Sequence, residues 1–266
     1  MATAKIRLPE INLSISNKVN FPLMVCSHER SGTHFIMNGI STCTEYTKDP
    51  YLDFDYCSLG PIVNFFWTEG VNNFLNSLAN IKIQNKKEIY CAKNILKSHY
   101  SLKLLGERYE GNCKIIYIYR NPKDVFISYW KFLNNWKWFE GPKLKSPLDL
   151  MRTPPQGQSQ RYQLENYQNY FARWAFHVID AKKAAEESPN IIFVNYSELL
   201  NNYTYTISSI CDYLNIKLLN APLEPNREEF VHGKNIHLSN EEESLIEEFI
   251  SKEIIKYPDL PNDIFN

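Results

Sequence analysis

The sequence predicts an α/β fold with three layers, a parallel sheet flanked by helices on both faces. Three observations predict it. Four short runs, PLMVC (22–26), EIYCA (88–92), KIIYIY (114–119) and NIIFVNY (190–196), are mostly apolar, as strands covered on both sides are. Each is followed by a stretch with helical periodicity, and strands alternating with helices build parallel sheets. With 266 residues the chain is long enough for a full core, and it reads as one domain over 1–266.

The elements follow in order. After the first strand, apolar residues recur at helical spacing from Ser31 to about Cys43. The second strand leads into AKNILKSHYSL (92–102). Beyond the third, Pro122 suits the first turn of a helix, Asp124 suits its positive end, and apolar residues recur through Trp130. The stretch 140–160 is rich in Pro, Gln and Lys without periodicity, so it reads as a surface loop, either a lid over the substrate or plainly disordered. Segments 160–187 and 197–214 read as amphipathic helices on either side of the fourth strand. Ser239-x-x-Glu242 has the form of a capping box and opens a last helix to about Ile255.

Composition narrows the function. The 29 Lys and Arg nearly cancel the 30 Asp and Glu, so no overall field attracts nucleic acid or an anionic membrane, and any anion site must be local. Cys26, Cys43, Cys57, Cys91, Cys113 and Cys211 are scattered without C-x-x-C or zinc-ligand spacing, as expected of buried free thiols in a reducing compartment. The first twenty residues lack the apolar core of a signal peptide, and no apolar run approaches the roughly 20 residues that span a membrane. The expected location is the cytoplasm, where the triplet Asn195-Tyr196-Ser197 carries no glycosylation meaning.

In a doubly wound sheet ligands bind where the chain leaves the carboxyl ends of the strands. The first such turn is SHERSGTHF (27–35). A strand-to-helix turn aims backbone N–H groups and the positive helix end at one point, Gly32 allows close approach, Ser31 and Thr33 add hydroxyls, and Arg30 adds a permanent charge. The pattern G-x-x-x-x-G-K-[ST] is not met: Ser27 stands at its first glycine and Thr33 at its lysine. The turn therefore reads as a phosphate-like anion site or as a plain helix cap. Arg120 leaves the third strand with Ser128 two helical turns on, which makes either a second anion clamp or a surface pair with Asp124. Lys97 and His99 follow the second strand and offer a general base beside a cation, or a structural histidine.

Together these residues resemble the cytosolic-type sulfotransferases that use 3′-phosphoadenosine 5′-phosphosulfate. HERSGTHF resembles that family's P-K-S-G-T-T-W loop, and YRNPKDVFISYWKF (119–132) its 3′-phosphate motif, an Arg before [ND]-P-[KR]-D-V with a Ser eight residues after that Arg. KSHYSL (97–102) is similar to the K-[TS]-H segment, and FVNYSELL (193–200) to the segment whose Tyr meets adenine. Order and spacing agree over roughly residues 20 to 200.

The resemblance implies a P-loop nucleotide-kinase-like fold and assigns roles. Arg30, Ser31, Gly32, Thr33 and His34 would hold the 5′-phosphosulfate, Phe35 and Tyr196 would flank adenine, and Arg120 and Ser128 would bind the 3′-phosphate. His99 would take the acceptor's proton while Lys97 and Arg30 stabilise an in-line transfer that leaves adenosine 3′,5′-bisphosphate, with no metal required. Three features depart from the pattern. Arg30 replaces the usual Lys and cannot hand a proton to the leaving group. His34 replaces the second Thr. The C-terminal R-K-G-x-x-G-D-W-K-N loop shrinks to FVHGKNIHLSNEE (230–242), where Gly233 and Lys234 are assigned to the 3′-phosphate.

The acceptor would be a small molecule with a hydroxyl or amine, with no nucleic acid or membrane partner, and the protein a monomer or homodimer. Residues 49–67 with Trp130, Trp136, Trp138 and Phe139 are candidates for an aromatic acceptor pocket. Asp49, Asp53 and Asp55 would suit a cationic acceptor, or are solvated carboxylates beside core aromatics. Two rival functions are an ATP-dependent phosphotransferase of the same fold and a nucleotide-binding protein without catalysis. The first needs a Walker lysine and a magnesium carboxylate; the second predicts no dependence on His99.

Overall fold

The computed structural model describes residues 2–6, 11–53, 68–83, 87–105, 113–163, 165–224 and 238–265. In chain order the elements begin with β1 (Ala2–Ile6), β2 (Ile11–Ser16), β3 (Leu23–Cys26), α1 (Thr33–Cys43), β4 (Thr47–Asp53) and α2 (Thr68–Ala79). There follow β5 (Ile81–Lys82), β6 (Ile89–Ala92), β7 (Asn94–Ser98), α3 (Leu102–Leu105), β8 (Lys114–Tyr119), α4 (Pro122–Asn135) and α5 (Pro147–Arg152). A 3-10 turn (Gly157–Tyr162), α6 (Tyr170–Glu187), β9 (Ile191–Asn195), α7 (Tyr196–Asn201), α8 (Tyr203–Leu214) and α9 (Asn240–Ile254) complete the fold.

Five strands in the order β4-β7-β3-β8-β9 form a parallel sheet, of which β3, β8 and β9 are apolar runs read from the sequence. Alternation along each strand divides the core in two. Leu23, Val25, Ile95, Ile116, Ile118 and Val194 face α1 and α8, where Phe35, Ile36, Ile40, Ile207 and Ile210 cover them. Met24, Cys26, Leu96, Ile115 and Tyr117 face the other way, toward Phe126, Phe171, Trp174 and Ile250 of α4, α6 and α9. Each fully buried aliphatic side chain contributes about 1.5–3 kcal/mol, so strands covered on both faces fix the frame from which the loops project.

The structure corrects several expectations. The run at 88–92 is β6 and belongs to a second, antiparallel sheet of order β1-β2-β6-β5; the chain crosses at Lys93, and β7 is the parallel strand. Apolar patterning misses β7 because Asn94, Lys97 and Ser98 are buried with their polar atoms satisfied: Asn94 Oδ1 accepts from Ser14 N at 2.7 Å, and Lys97 Nζ donates to Asp53 Oδ2 at 3.0 Å. The helix expected from 160 starts at Tyr170, where Asn169 caps it by accepting from Ala172 N. The helix expected over 197–214 breaks at Asn202 into α7 and α8.

The stretch 140–160 is packed rather than loose. Ser146 caps α5 by accepting from Asp149 N, Pro147 opens it, and the backbone turns at Gly157 (φ 72°) against the Glu140 carbonyl. The capping box at Ser239 is present in both directions. Ser239→Ala is expected to lower stability by about 1 kcal/mol in denaturant unfolding, and no change would contradict this cap.

Cys26, Cys43, Cys91, Cys113 and Cys211 are buried free thiols, whereas Cys57 lies outside the described residues. Among the described residues no helix is long and apolar enough to cross a membrane, and no group of three or more His, Cys, Asp and Glu stands ready to hold a metal.

Candidate active site

Four strands end side by side. Cys26 lies level with Ser98 and Tyr117, and Tyr119 with Asn195, so the residues that follow, the turn 27–32, His99, Arg120 and Tyr196, gather at one edge of the sheet. The fold thus brings together residues that the sequence spreads over 170 positions, Ser27 to Tyr196 counted inclusively.

The turn after β3 is held by Ser27 N donating to Ser98 O at 3.2 Å. Arg30 and Gly32 both take positive φ, 67° and 103°. A Cβ at Gly32 would lie 2.3 Å from Tyr196 Cδ2, so glycine alone lets the Tyr196 ring rest on the turn. No side chain caps α1 at Gly32. The Ser31 hydroxyl is buried without a hydrogen-bond partner, and Thr33 Oγ1 is engaged by Ser27 Oγ at 2.6 Å. A plain helix cap would have spent one of these hydroxyls on the first helical N–H groups.

Two guanidinium groups face this turn. Arg30 Nε donates to Ser128 Oγ at 3.1 Å, and its charge lies 5.3 Å from the centre of the Phe132 ring. Burial, and then the Arg120 charge, push its pKa down to about 10. Arg120 stacks 4.5 Å over Tyr196 and reaches Asp124 at 3.3 Å, so it makes the expected surface pair and the ring contact together. Its Nε is buried without a partner. Two like charges that act on one another, beside the partnerless Ser31 hydroxyl and Arg120 Nε, fit a phosphate or sulfate group, which would offset the charge and accept from the donors.

His99 follows β7. A carbonyl only accepts, so Nδ1 at 3.0 Å from Ser27 O carries the proton, and Nε2 is the basic nitrogen. Burial, and next the Lys97 ammonium, hold its pKa well below the ordinary imidazole value. Tyr162, from the 3-10 turn, packs edge-on at 5.7 Å. Lys97 itself is buried and paired with Asp53.

The remaining expected residues scatter more widely. His34 is exposed and stacks on Tyr51 at 5.5 Å. Phe35 is 2% exposed and packs edge-on against Tyr196 and Tyr203 within the core. Gly233, Lys234 and Asp55 lie outside the described residues. Asp53 does not stand open to a cationic acceptor, because Lys97 already neutralises it. Trp130 is core, with its N–H donated to Leu144 O, whereas Trp136, Trp138 and Phe139 are exposed, and Trp136 and Trp138 continue outward from Phe132 beneath Arg30.

Sequence reading missed a buried group behind the turn. Glu29 accepts from Arg173 and Tyr129, and His177 Nε2 donates to the carbonyl of His99 at 3.0 Å. Arg173 and His177 lie within a segment that reads as an ordinary amphipathic helix, and nothing in that pattern marks them.

A family model described as "Sulfotransferase domain" matches residues 22–257. The chain is similar to sulfotransferase 1B1 of Canis lupus familiaris, 27% identical over 173 residues that cover 65% of this chain and 49% of that protein. It is 26% identical over 210 residues to sulfotransferase 1E1 of Mus musculus, covering 73% of this chain and 59% of the relative. The chain therefore spans about half the length of these curated relatives. Among solved structures, mouse sulfotransferase SULT7A1 complexed with PAP superposes with a TM-score of 0.52 at 15% identity, covering 94% of this chain and 95% of that one. The sulfotransferase from Alicyclobacillus acidocaldarius gives a TM-score of 0.52 at 12% identity, covering 89% and 94%. At such identities the likeness is one of fold.

Proposed function

The chain belongs to the sulfotransferase family, and on that premise we propose that residues 1–266 form one domain that transfers the sulfuryl group of 3′-phosphoadenosine 5′-phosphosulfate to a hydroxyl or amine of a small molecule. It would do so in the cytoplasm, as a monomer or homodimer, without nucleic acid or membrane partners. One observation carries the reading: Arg30, Arg120, the partnerless Ser31 hydroxyl and the uncapped start of α1 converge at the carboxyl edge of the sheet.

The donor, when bound, supplies an activated sulfuryl group on a phosphate leaving group. The protein's own residues do the rest. Arg30, Ser31, Gly32 and Thr33, with the first-turn backbone N–H of His34, hold the phosphosulfate end, and Arg120 and Ser128, joined by Gly233 and Lys234, hold the 3′-phosphate. Arg30 bridges the two sites through its bond to Ser128. Tyr196, fixed between Gly32 and Arg120, presents a ring to the adenine, and Phe35 supports that ring from within the core. His99 Nε2 takes the proton from an acceptor hydroxyl, and its low basicity keeps it neutral and receptive at physiological pH. Lys97 and Arg30 offset the charge that develops during transfer; Lys97 shares its own with Asp53. No metal is required, because fixed cations do the charge work.

Titration calorimetry with adenosine 3′,5′-bisphosphate, and separately with ATP and magnesium, tests the reading on wild type and Arg120→Ala. Tight bisphosphate binding, weak ATP binding and an Arg120→Ala loss of about a hundredfold are expected, in line with removal of one partner of a charge-assisted contact. Preference for ATP, or indifference to Arg120, would favour the phosphotransferase reading instead.

A further inference from the structure

An acidic residue stands inside a turn that otherwise gathers donors and positive charge: Glu29, the only carboxylate of residues 27–32, is 6% exposed and directly precedes Arg30. We propose that Arg173 is a positioning residue that acts through Glu29, cancelling its charge so that the turn attracts an anion. The inference rests on the reading of the turn as an anion site.

The geometry is that of a matched pair. Arg173, 1% exposed, donates through Nη2 to both Glu29 oxygens, at 2.7 and 2.8 Å, and the Tyr129 hydroxyl donates to Oε1 at 3.0 Å. Its Nη1 lies 3.4 Å from Nε2 of His28, whose Nδ1 donates to the Glu29 carbonyl at 3.0 Å. An arginine only donates, so His28 is neutral and both of its nitrogens are used. Burial, the largest influence on His28, lowers its pKa to about 3 and keeps it so.

Four residues along α6, His177 reaches the second half of the site. Its Nε2 donates to the His99 carbonyl at 3.0 Å, and its Nδ1 accepts from the Tyr117 hydroxyl at 2.6 Å. One helix face therefore touches both the anion turn and the residue that carries the base, and the separation of the two is set by a single rigid element.

A charge-cancelling role and a purely mechanical one predict different signs. In a poorly screened interior a carboxylate beside a bound anion repels it, unless a cation cancels the field. A mechanical staple loosens whichever partner is removed. A canceller weakens anion binding when the cation goes and strengthens it when the carboxylate goes.

Calorimetric titration of the full chain with adenosine 3′,5′-bisphosphate separates them, using Arg173→Met, Glu29→Gln and the double variant. Arg173→Met is expected to weaken binding about tenfold, Glu29→Gln to tighten it about threefold, and the double variant to return within about threefold of wild type. Equal losses in both single variants, or a double variant no better than Arg173→Met, would overturn the proposal. If Arg173→Met fails to fold, the sign of the change in Glu29→Gln decides alone, with looser binding as the contrary result. Arg173→Lys, which keeps the charge and gives up the two-oxygen contact, is expected to bind within about threefold of wild type, and a tenfold loss would contradict a charge role. Absence of bisphosphate binding by wild type would instead sink the reading of the site itself.

Discussion

His99→Asn lowers turnover with a hydroxyl acceptor by about a thousandfold, while affinity for adenosine 3′,5′-bisphosphate stays within about twofold. Asparagine is the informative replacement because its side-chain N–H can reproduce the Nδ1 bond to Ser27 O, 3.0 Å long, while the basic Nε2 disappears. The loss then reports proton removal rather than a collapsed loop. The pH profile adds a second reading. Protonation of Nε2 inactivates the base, and burial with the Lys97 charge holds its pKa well below the ordinary value, so the acid limb of turnover falls below about pH 6.5. A limb at or above that value, or a His99→Asn loss under tenfold, would remove His99 from the chemistry. An amine acceptor, which attacks before losing its proton, is expected to show a smaller effect.

Gly32→Ala is expected to abolish bisphosphate binding and to cost about 1–3 kcal/mol of stability. Two causes combine. The backbone at Gly32 has φ 103°, which an L-residue adopts with strain, and the added Cβ would stand 2.3 Å from the Tyr196 ring. Tyr196 must then move, and Arg120, stacked 4.5 Å over it, moves too. Pairing Gly32→Ala with Tyr196→Ala relieves the clash, so part of the stability should return in thermal unfolding while binding stays lost. Full bisphosphate affinity in Gly32→Ala would show that neither the turn nor the ring contributes to the site.

Much of this site was legible in the sequence because its parts follow strands that announce themselves. Strand β3 is apolar throughout and β8 is apolar after Lys114, and Gly32 and Pro122 punctuate their ends, so the sequence alone places the turn at 27–32 and Arg120 at the sheet edge. Strand β7 is the counterexample. Its polar residues are buried only because distant partners satisfy them, Ser14 for Asn94 and Asp53 for Lys97, and no local pattern carries that information. The same limit hid the pair Glu29 and Arg173, which are 144 positions apart and meet only through the packing of α6 on the sheet. Asp53 shows the opposite error. Read alone among aromatics it looked open to a cation, yet the parallel pairing of β4 with β7 sets it directly beside Lys97.

The most direct test of the account is a transfer assay with 3′-phosphoadenosine 5′-phosphosulfate labelled in its sulfuryl group, run with chelator present against a panel of phenols, alcohols and amines and read by mass spectrometry. Label on at least one acceptor class and an equal amount of adenosine 3′,5′-bisphosphate are expected, with both lost in His99→Asn when the acceptor is a hydroxyl. Bisphosphate binding without label on any acceptor class, or phosphoryl transfer from ATP and magnesium to the same panel, would contradict it.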